Sequence, residues 1–162
     1  MSSKKDKHYL NLALNLAKNM EGLTGTNPSV GSVLVKNDEV ISLASTGYNG
    51  TPHSEFSLLN KIDKKIAKDS SLYVTLEPCS HYGKTPPCTN IIIDKKISRL
   101  VFGAHDIDER SSKMAKQILK SKKIKVKSIN VPNINEFYKP YAFQRKYKQP
   151  YVTGKIACSK DF

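Results

Sequence analysis

Apolar residues near the amino terminus recur at helical spacing. Leu10, Ala13, Leu14 and Ala17 fall on one stripe, Leu12 and Leu16 widen it, and Gly22 follows as a stop signal, which predicts a helix over residues 7–20. A loop at 24–28 leads into an apolar run at 30–35 that reads as a buried strand. Asn37-Asp38 is a turn signal, and residues 40–44 read as the hairpin partner. Gly47, Asn49, Gly50 and Pro52 mark a tight loop, after which Phe56, Leu58, Leu59 and Ile62 predict a helix starting at His53.

Residues 72–76 form a short β-rich run leading directly into Glu77-Pro78-Cys79; residues 80–87 are loop-like and 88–94 resume as a helix. A strand at 99–103, a helix at 112–119, a strand at 124–129 and an amphipathic segment at 134–145 follow. The early hairpin is antiparallel, whereas the later strand–helix alternation implies parallel crossovers. The expected architecture is therefore a five-stranded mixed sheet with helices on both faces. Residues 151–153 and 155–157 look like one more strand.

The 162 residues suffice for one domain with a core, and 38% are hydrophobic. No apolar run approaches the roughly 18–20 residues that span a bilayer, and the amino terminus lacks the apolar segment of a signal peptide. Three cysteines cannot all pair, which argues against a disulfide scaffold and for a cytoplasmic protein. The net charge is +13, from 27 Lys+Arg against 14 Asp+Glu, but only Arg99, Arg110 and Arg145 are arginines. Attraction to phosphates and a lysine-rich coding bias both explain that balance, so the charge assigns no function.

Two segments carry chemistry: His53-Ser54-Glu55, and Cys79 with Cys88 after a strand. An imidazole and two thiolates are good zinc ligands, and both cysteines are expected near helix starts, where backbone N–H groups favour thiolate. Structural zinc sites close with four protein ligands, whereas catalytic sites keep three and leave a position for water. His53, Cys79 and Cys88 make three, so they are candidate ligands of a catalytic Zn2+. Glu55 then stands beside the open position as a proton shuttle. Zinc lowers the pKa of bound water towards about 7, and a neighbouring carboxylate moves its protons. A His-x-Glu pair followed by Pro-Cys and a second Cys is the signature of zinc nucleobase deaminases. The plainer readings are a structural zinc site and, for Glu55, a carboxylate stabilised at a helix N-terminus.

Eight residues separate the two cysteines, in the string Pro78-Cys79-Ser80-His81-Tyr82-Gly83-Lys84-Thr85-Pro86-Pro87-Cys88. This string resembles the deaminase domain of the bifunctional riboflavin-biosynthesis enzymes, within the cytidine-deaminase-like superfamily. The resemblance extends to Asn27-Pro28-Ser29-Val30-Gly31, to Pro52-His53-Ser54-Glu55 and to Tyr73-Val74-Thr75-Leu76-Glu77, over nearly the whole chain. It implies a three-layer α/β/α sandwich and a zinc-dependent CMP/dCMP-type deaminase domain at residues 1–147. The implied reaction is hydrolytic deamination of 2,5-diamino-6-ribosylamino-4(3H)-pyrimidinone 5′-phosphate, with release of ammonia. His53, Cys79 and Cys88 match the family's zinc ligands and Glu55 its proton shuttle. Lys84 matches a basic substrate contact suited to a ribose phosphate, and Asn27 and Asp106 match further substrate contacts. His81 lies in the same insertion as Lys84. By default Asn27 is a turn residue, Lys84 and His81 are solvated loop residues, and Asp106 caps a turn.

The chain departs from the family pattern in three places. Ser54 replaces the usual alanine, a small change expected to leave the site undisturbed. Asn49 stands in a shortened loop where the family has histidine. The segment Asp106-Ile107-Asp108-Glu109 loses an asparagine, and a second carboxylate there is unfavourable beside a phosphate. His8 and His105 have no metal partner by spacing and read as structural or surface residues; Cys158 reads as a free thiol. Residues 150–157 resemble the opening strand of the family's NADPH-dependent reductase domain, setting off a tail at 148–162 with two open readings, a piece of a two-domain enzyme or a stand-alone deaminase with a separate reductase as partner. Relatives of this fold also associate, so a homo-oligomer is an expectation. Two other functions compete: a deaminase acting on another nucleotide or a nucleic-acid base (cytidine, dCMP or tRNA-adenosine type), with nucleic acid the less favoured substrate, and a degenerate zinc-stabilised interaction module.

Overall fold

The computed structural model describes residues 3–83, 85–108 and 114–159. Helix α1 (Ser3–Lys18) precedes the hairpin β1 (Gly31–Lys36) and β2 (Glu39–Ser45). Asn37 and Asp38 both take positive φ, 52° and 66°, the two-residue geometry whose twist matches the flanking strands. A short 3-10 turn at Tyr48–Gly50 leads to α2 (Ser54–Leu59) and α3 (Lys64–Ala67). Then come β3 (Ser71–Leu76), α4 (Cys88–Asp94), β4 (Arg99–Ala104), α5 (Met114–Ser121), β5 (Lys125–Ser128) and α6 (Pro132–Tyr147).

The sheet order is β2-β1-β3-β4-β5, with β1 antiparallel to both neighbours and β3, β4 and β5 parallel. Alternation along the strands divides the helices into two layers. Tyr73 and Gly103 face α1 and α6: Tyr73 bonds Asp6 of α1, and Gly103 packs on Ile134 of α6. Ser32 faces the other way, against Ser54 of α2, with α4 and α5 continuing that layer. The expected three-layer sandwich is thus the observed one. A Cβ on Gly31 would stand 1.9 Å from the carbonyl oxygen of Ala13, so α1 and β1 approach as closely as they do because Gly31 lacks one. The central strands β1, β3 and β4 are buried almost throughout, while edge strand β5 exposes Lys125.

Several expectations are corrected. The helix expected from His53 to carry Ile62 ends at Leu59, and Asp63 caps a separate turn by accepting from the Lys65 amide at 2.7 Å. Strand β5 is shorter than residues 124–129; Ile124 and Ile129 are buried just outside its ends. Residues 151–157 form no strand: they are exposed and pair with no strand among the described residues, and an extended segment without a ladder partner has no regular hydrogen bonding to hold it. Part of the helix expected at 112–119 lies outside the described residues.

Candidate active site

His53 is the N-cap of α2, which places Glu55 in its first turn and turns both side chains to the carboxyl ends of β3 and β4. The chain leaves β3 through Glu77-Pro78-Cys79 and returns at Cys88, the first residue of α4. Cys79 is therefore not at a helix start, contrary to expectation. Its sulfur instead reaches the start of α4 and accepts from the Cys88 backbone N–H at 3.2 Å.

His53 Nδ1 lies 3.5 Å from Cys79 Sγ and 3.4 Å from Cys88 Sγ, and the three ligand atoms all fall within 4.8 Å of one another. Tetrahedral zinc, with Zn–S of about 2.3 Å and Zn–N of about 2.0–2.1 Å, sets nitrogen and sulfur roughly 3.5 Å apart. The donor set fits zinc both in chemistry and in spacing. Protons are shared unequally among these groups. A hydrogen bond from Cys88 holds the Cys79 thiol well below its ordinary value, and the same bond pushes Cys88 up. The bond to Cys79 raises His53 against the effect of its burial.

Glu55 is 3% exposed. Its carboxyl is raised by burial and then by the Cys79 thiolate, with His53 opposing. Ser54 Oγ donates to Glu55 Oε2 at 3.0 Å and pairs with Ser32 Oγ at 2.6 Å, so Ser54 is more closely tied to the site than its small size suggested.

These groups open into a cleft of about 440 Å³. Asn27, Asn49, His81 and Asp106 all line it. The Asn27 amide donates to the Gly50 carbonyl at 3.0 Å, clasping the loop after α1 to the turn before α2, where Gly50 itself takes φ +84°. Asn49 also has a positive φ, 57°, and its backbone N–H is held by the Leu23 carbonyl. Asp106 is buried, which raises its carboxyl, while the Asp108 amide donating to it at 3.0 Å works the other way. Lys84 lies outside the described residues.

Sequence reasoning missed the far wall. On α6, Ile134, Tyr138, Tyr141 and Arg145 form one stripe along β4 and the loop beyond it. Ile134 packs on Gly103, the Tyr138 hydroxyl meets Thr75 and donates to the Ser29 carbonyl, and the Tyr141 hydroxyl donates to Asp106 at 3.4 Å. Arg145 pairs with Asp108. The spacing of these four residues was visible in the amphipathic segment at 134–145, but their partners were not. His105, read as a structural or surface residue, bonds buried Glu77 at 2.8 Å.

Residues 3–104 match the family described as the cytidine and deoxycytidylate deaminase zinc-binding region. The chain belongs to this family. It is 39% identical over 160 residues to the riboflavin biosynthesis protein RibD of Aquifex aeolicus, covering 96% of this chain and 44% of that one. It is 38% identical over 123 residues to the diaminohydroxyphosphoribosylamino-pyrimidine deaminase of Buchnera aphidicola, covering 76% of this chain and 83% of that protein. A Thermotoga maritima crystal structure of a diaminohydroxyphosphoribosylaminopyrimidine deaminase/5-amino-6-(5-phosphoribosylamino)uracil reductase superposes with a TM-score of 0.81 at 31% identity. It covers 91% of this chain and 43% of that one. The chain thus spans less than half the length of the Aquifex and Thermotoga proteins. Zinc is the family's metal, and no helix among the described residues is long and apolar enough to cross a membrane.

Proposed function

We propose that this deaminase removes the C2 amino group of 2,5-diamino-6-ribosylamino-4(3H)-pyrimidinone 5′-phosphate as ammonia. The observation that carries the reading is a buried carboxylate, Glu55, beside a three-ligand set inside a cleft sized for one small molecule. The names of the Buchnera and Thermotoga relatives support the substrate. His53, Cys79 and Cys88 hold zinc, which when bound supplies water acidified to a pKa of about 7. Glu55 takes the proton from the attacking water, delivers it to the ring nitrogen, and later protonates the departing amine. Its burial keeps that proton from exchanging freely with solvent, and Ser54 fixes the carboxylate oxygen. Asn27, Asn49, His81 and Asp106 orient the pyrimidine and ribose, and Lys84 takes part in holding the phosphate.

We assign the deaminase unit to residues 1–147. The tail's resemblance to a reductase strand is supported by the pairing of deaminase and reductase in the Thermotoga protein. Thiol ligands persist in a reducing compartment, which favours the cytoplasm. A nucleic-acid substrate is disfavoured by the cleft itself, whose wall carries Glu55, Glu77, Asp106 and Asp108.

The test is ammonia release by zinc-loaded protein given the ribotide, cytidine, dCMP and tRNA in parallel. Release from the ribotide alone is expected. Glu55→Ala should retain zinc and lose about 10²–10⁴-fold or more in turnover. Release only from another base overturns the substrate, and full zinc content without any release overturns the enzyme reading.

A further inference from the structure

The cleft is acidic where an anionic substrate has to enter. Four carboxylates line it, and among the described residues Arg145 is the single lysine or arginine on its wall. The protein carries 27 such cations, yet among the described residues one arginine alone reaches this surface. It stands in the last turn of α6, where the helix dipole favours a cation.

Arg145 Nη2 donates to Asp108 Oδ2 at 2.5 Å, with the two side chains 31% and 10% exposed. The carboxylate is itself fixed, since the Asp108 backbone N–H bonds Asp106 Oδ1 and the Tyr141 hydroxyl donates to that same oxygen. Tyr141 and Arg145 are one helical turn apart, so helix and loop lock together at this corner. A guanidinium carries five N–H donors in a planar fork. Among the described residues the ion pair engages one of its nitrogens, and the other donors remain for a second anion. Loss of the family's asparagine at position 108, unfavourable for a phosphate when taken alone, is thereby offset by a cation from a distant helix.

We propose that Arg145 binds the 5′-phosphate of the substrate and that Asp108 is its positioning residue. This rests on the ribotide reading above, because the phosphate is the group that requires a fixed cation here. Arginine suits the task because it meets phosphate oxygens two at a time, which lysine does not.

The experiment titrates ribose 5-phosphate into zinc-loaded full chain by calorimetry, for the unaltered protein, Arg145→Met, Asp108→Asn and the double variant. Arg145→Met should weaken binding about ten- to a hundredfold, as expected for a charge-assisted contact. Asp108→Asn should weaken it severalfold, and the double variant should bind no better than Arg145→Met. Equal affinity in Arg145→Met overturns the proposal. So does recovery in the double variant, which would mean that Arg145 only masks Asp108, and so does an unaltered protein that fails to bind ribose 5-phosphate. If Arg145→Met does not fold, Arg145→Lys decides: intermediate affinity supports the proposal and unchanged affinity overturns it. Ammonia release by the unaltered protein reports on the substrate and ribose 5-phosphate binding reports on Arg145, so the two readings fail separately.

Discussion

Ser54 Oγ donates to Glu55 Oε2 across 3.0 Å, with Ser32 Oγ 2.6 Å behind it. A hydroxyl has one proton to give; with that of Ser54 committed to the carboxylate, Ser32 is the donor in the second bond. Both serines are fully buried. Ser54→Ala therefore strands the Ser32 hydroxyl in the core and should cost about 1–3 kcal/mol, whereas Ser32→Ala/Ser54→Ala should recover most of the loss. Urea unfolding of the three proteins checks this. A double variant less stable than Ser54→Ala would show that the pair is not the unit described.

The metal set and Glu55 were legible in the sequence because the chemistry demands particular residue types at fixed local spacing. His53 and Glu55 share one helix turn, and Cys79 and Cys88 bracket one loop. The sheet was legible too, since strands such as 72–76 and 99–103 are mostly apolar, as burial on both faces requires. Arg145 and Asp108 were not: they lie 37 positions apart and meet only because α6 packs along β4. The partnership of His105 with Glu77 was hidden for the same reason, being made by two parallel strands ending side by side. The break at Asp63 was local, but a capping aspartate competes with a continuing apolar stripe, and periodicity alone does not say which prevails.

A second cluster makes stability depend on acid. Asp6 of α1 is fully buried and accepts from Arg99 Nη2 with both oxygens, at 2.9 and 2.8 Å, and also from Tyr73 and Lys127. Burial pushes its carboxyl up, but the hydrogen bonds from Arg99 and Tyr73, with charge from Arg99 and a bond from Lys127, hold it below its ordinary value. A carboxylate depressed in the folded state contributes stability that is present above the unfolded value of about 3.9 and drains away as pH falls through the folded one. Asp6→Asn should cost roughly 2–4 kcal/mol at pH 7, because it leaves Arg99 uncompensated in a largely buried position. The gap between the two proteins should narrow steadily below about pH 4. A gap that stays constant down to pH 2 would show that Asp6 stabilises by packing alone.

Zinc removal should register in stability as well as in turnover. A ligand that binds only the folded chain stabilises it by about 4 kcal/mol at a thousand times its Kd. For a domain of this size that is a rise in Tm of about 10 °C, which a chelator should abolish and added zinc restore. The site's own proton distribution gives a sharper check. Cys79 is held as thiolate, while Cys88 is pushed up above its already high ordinary value and so carries a proton that zinc displaces. Uptake by the metal-free protein near neutral pH should therefore release about one proton and tighten as pH rises. Calorimetry in buffers of different ionisation enthalpy measures that number directly. Uptake without proton release would mean that Cys88 already stands deprotonated, which is the opposite of what its hydrogen bond to Cys79 and its burial dictate.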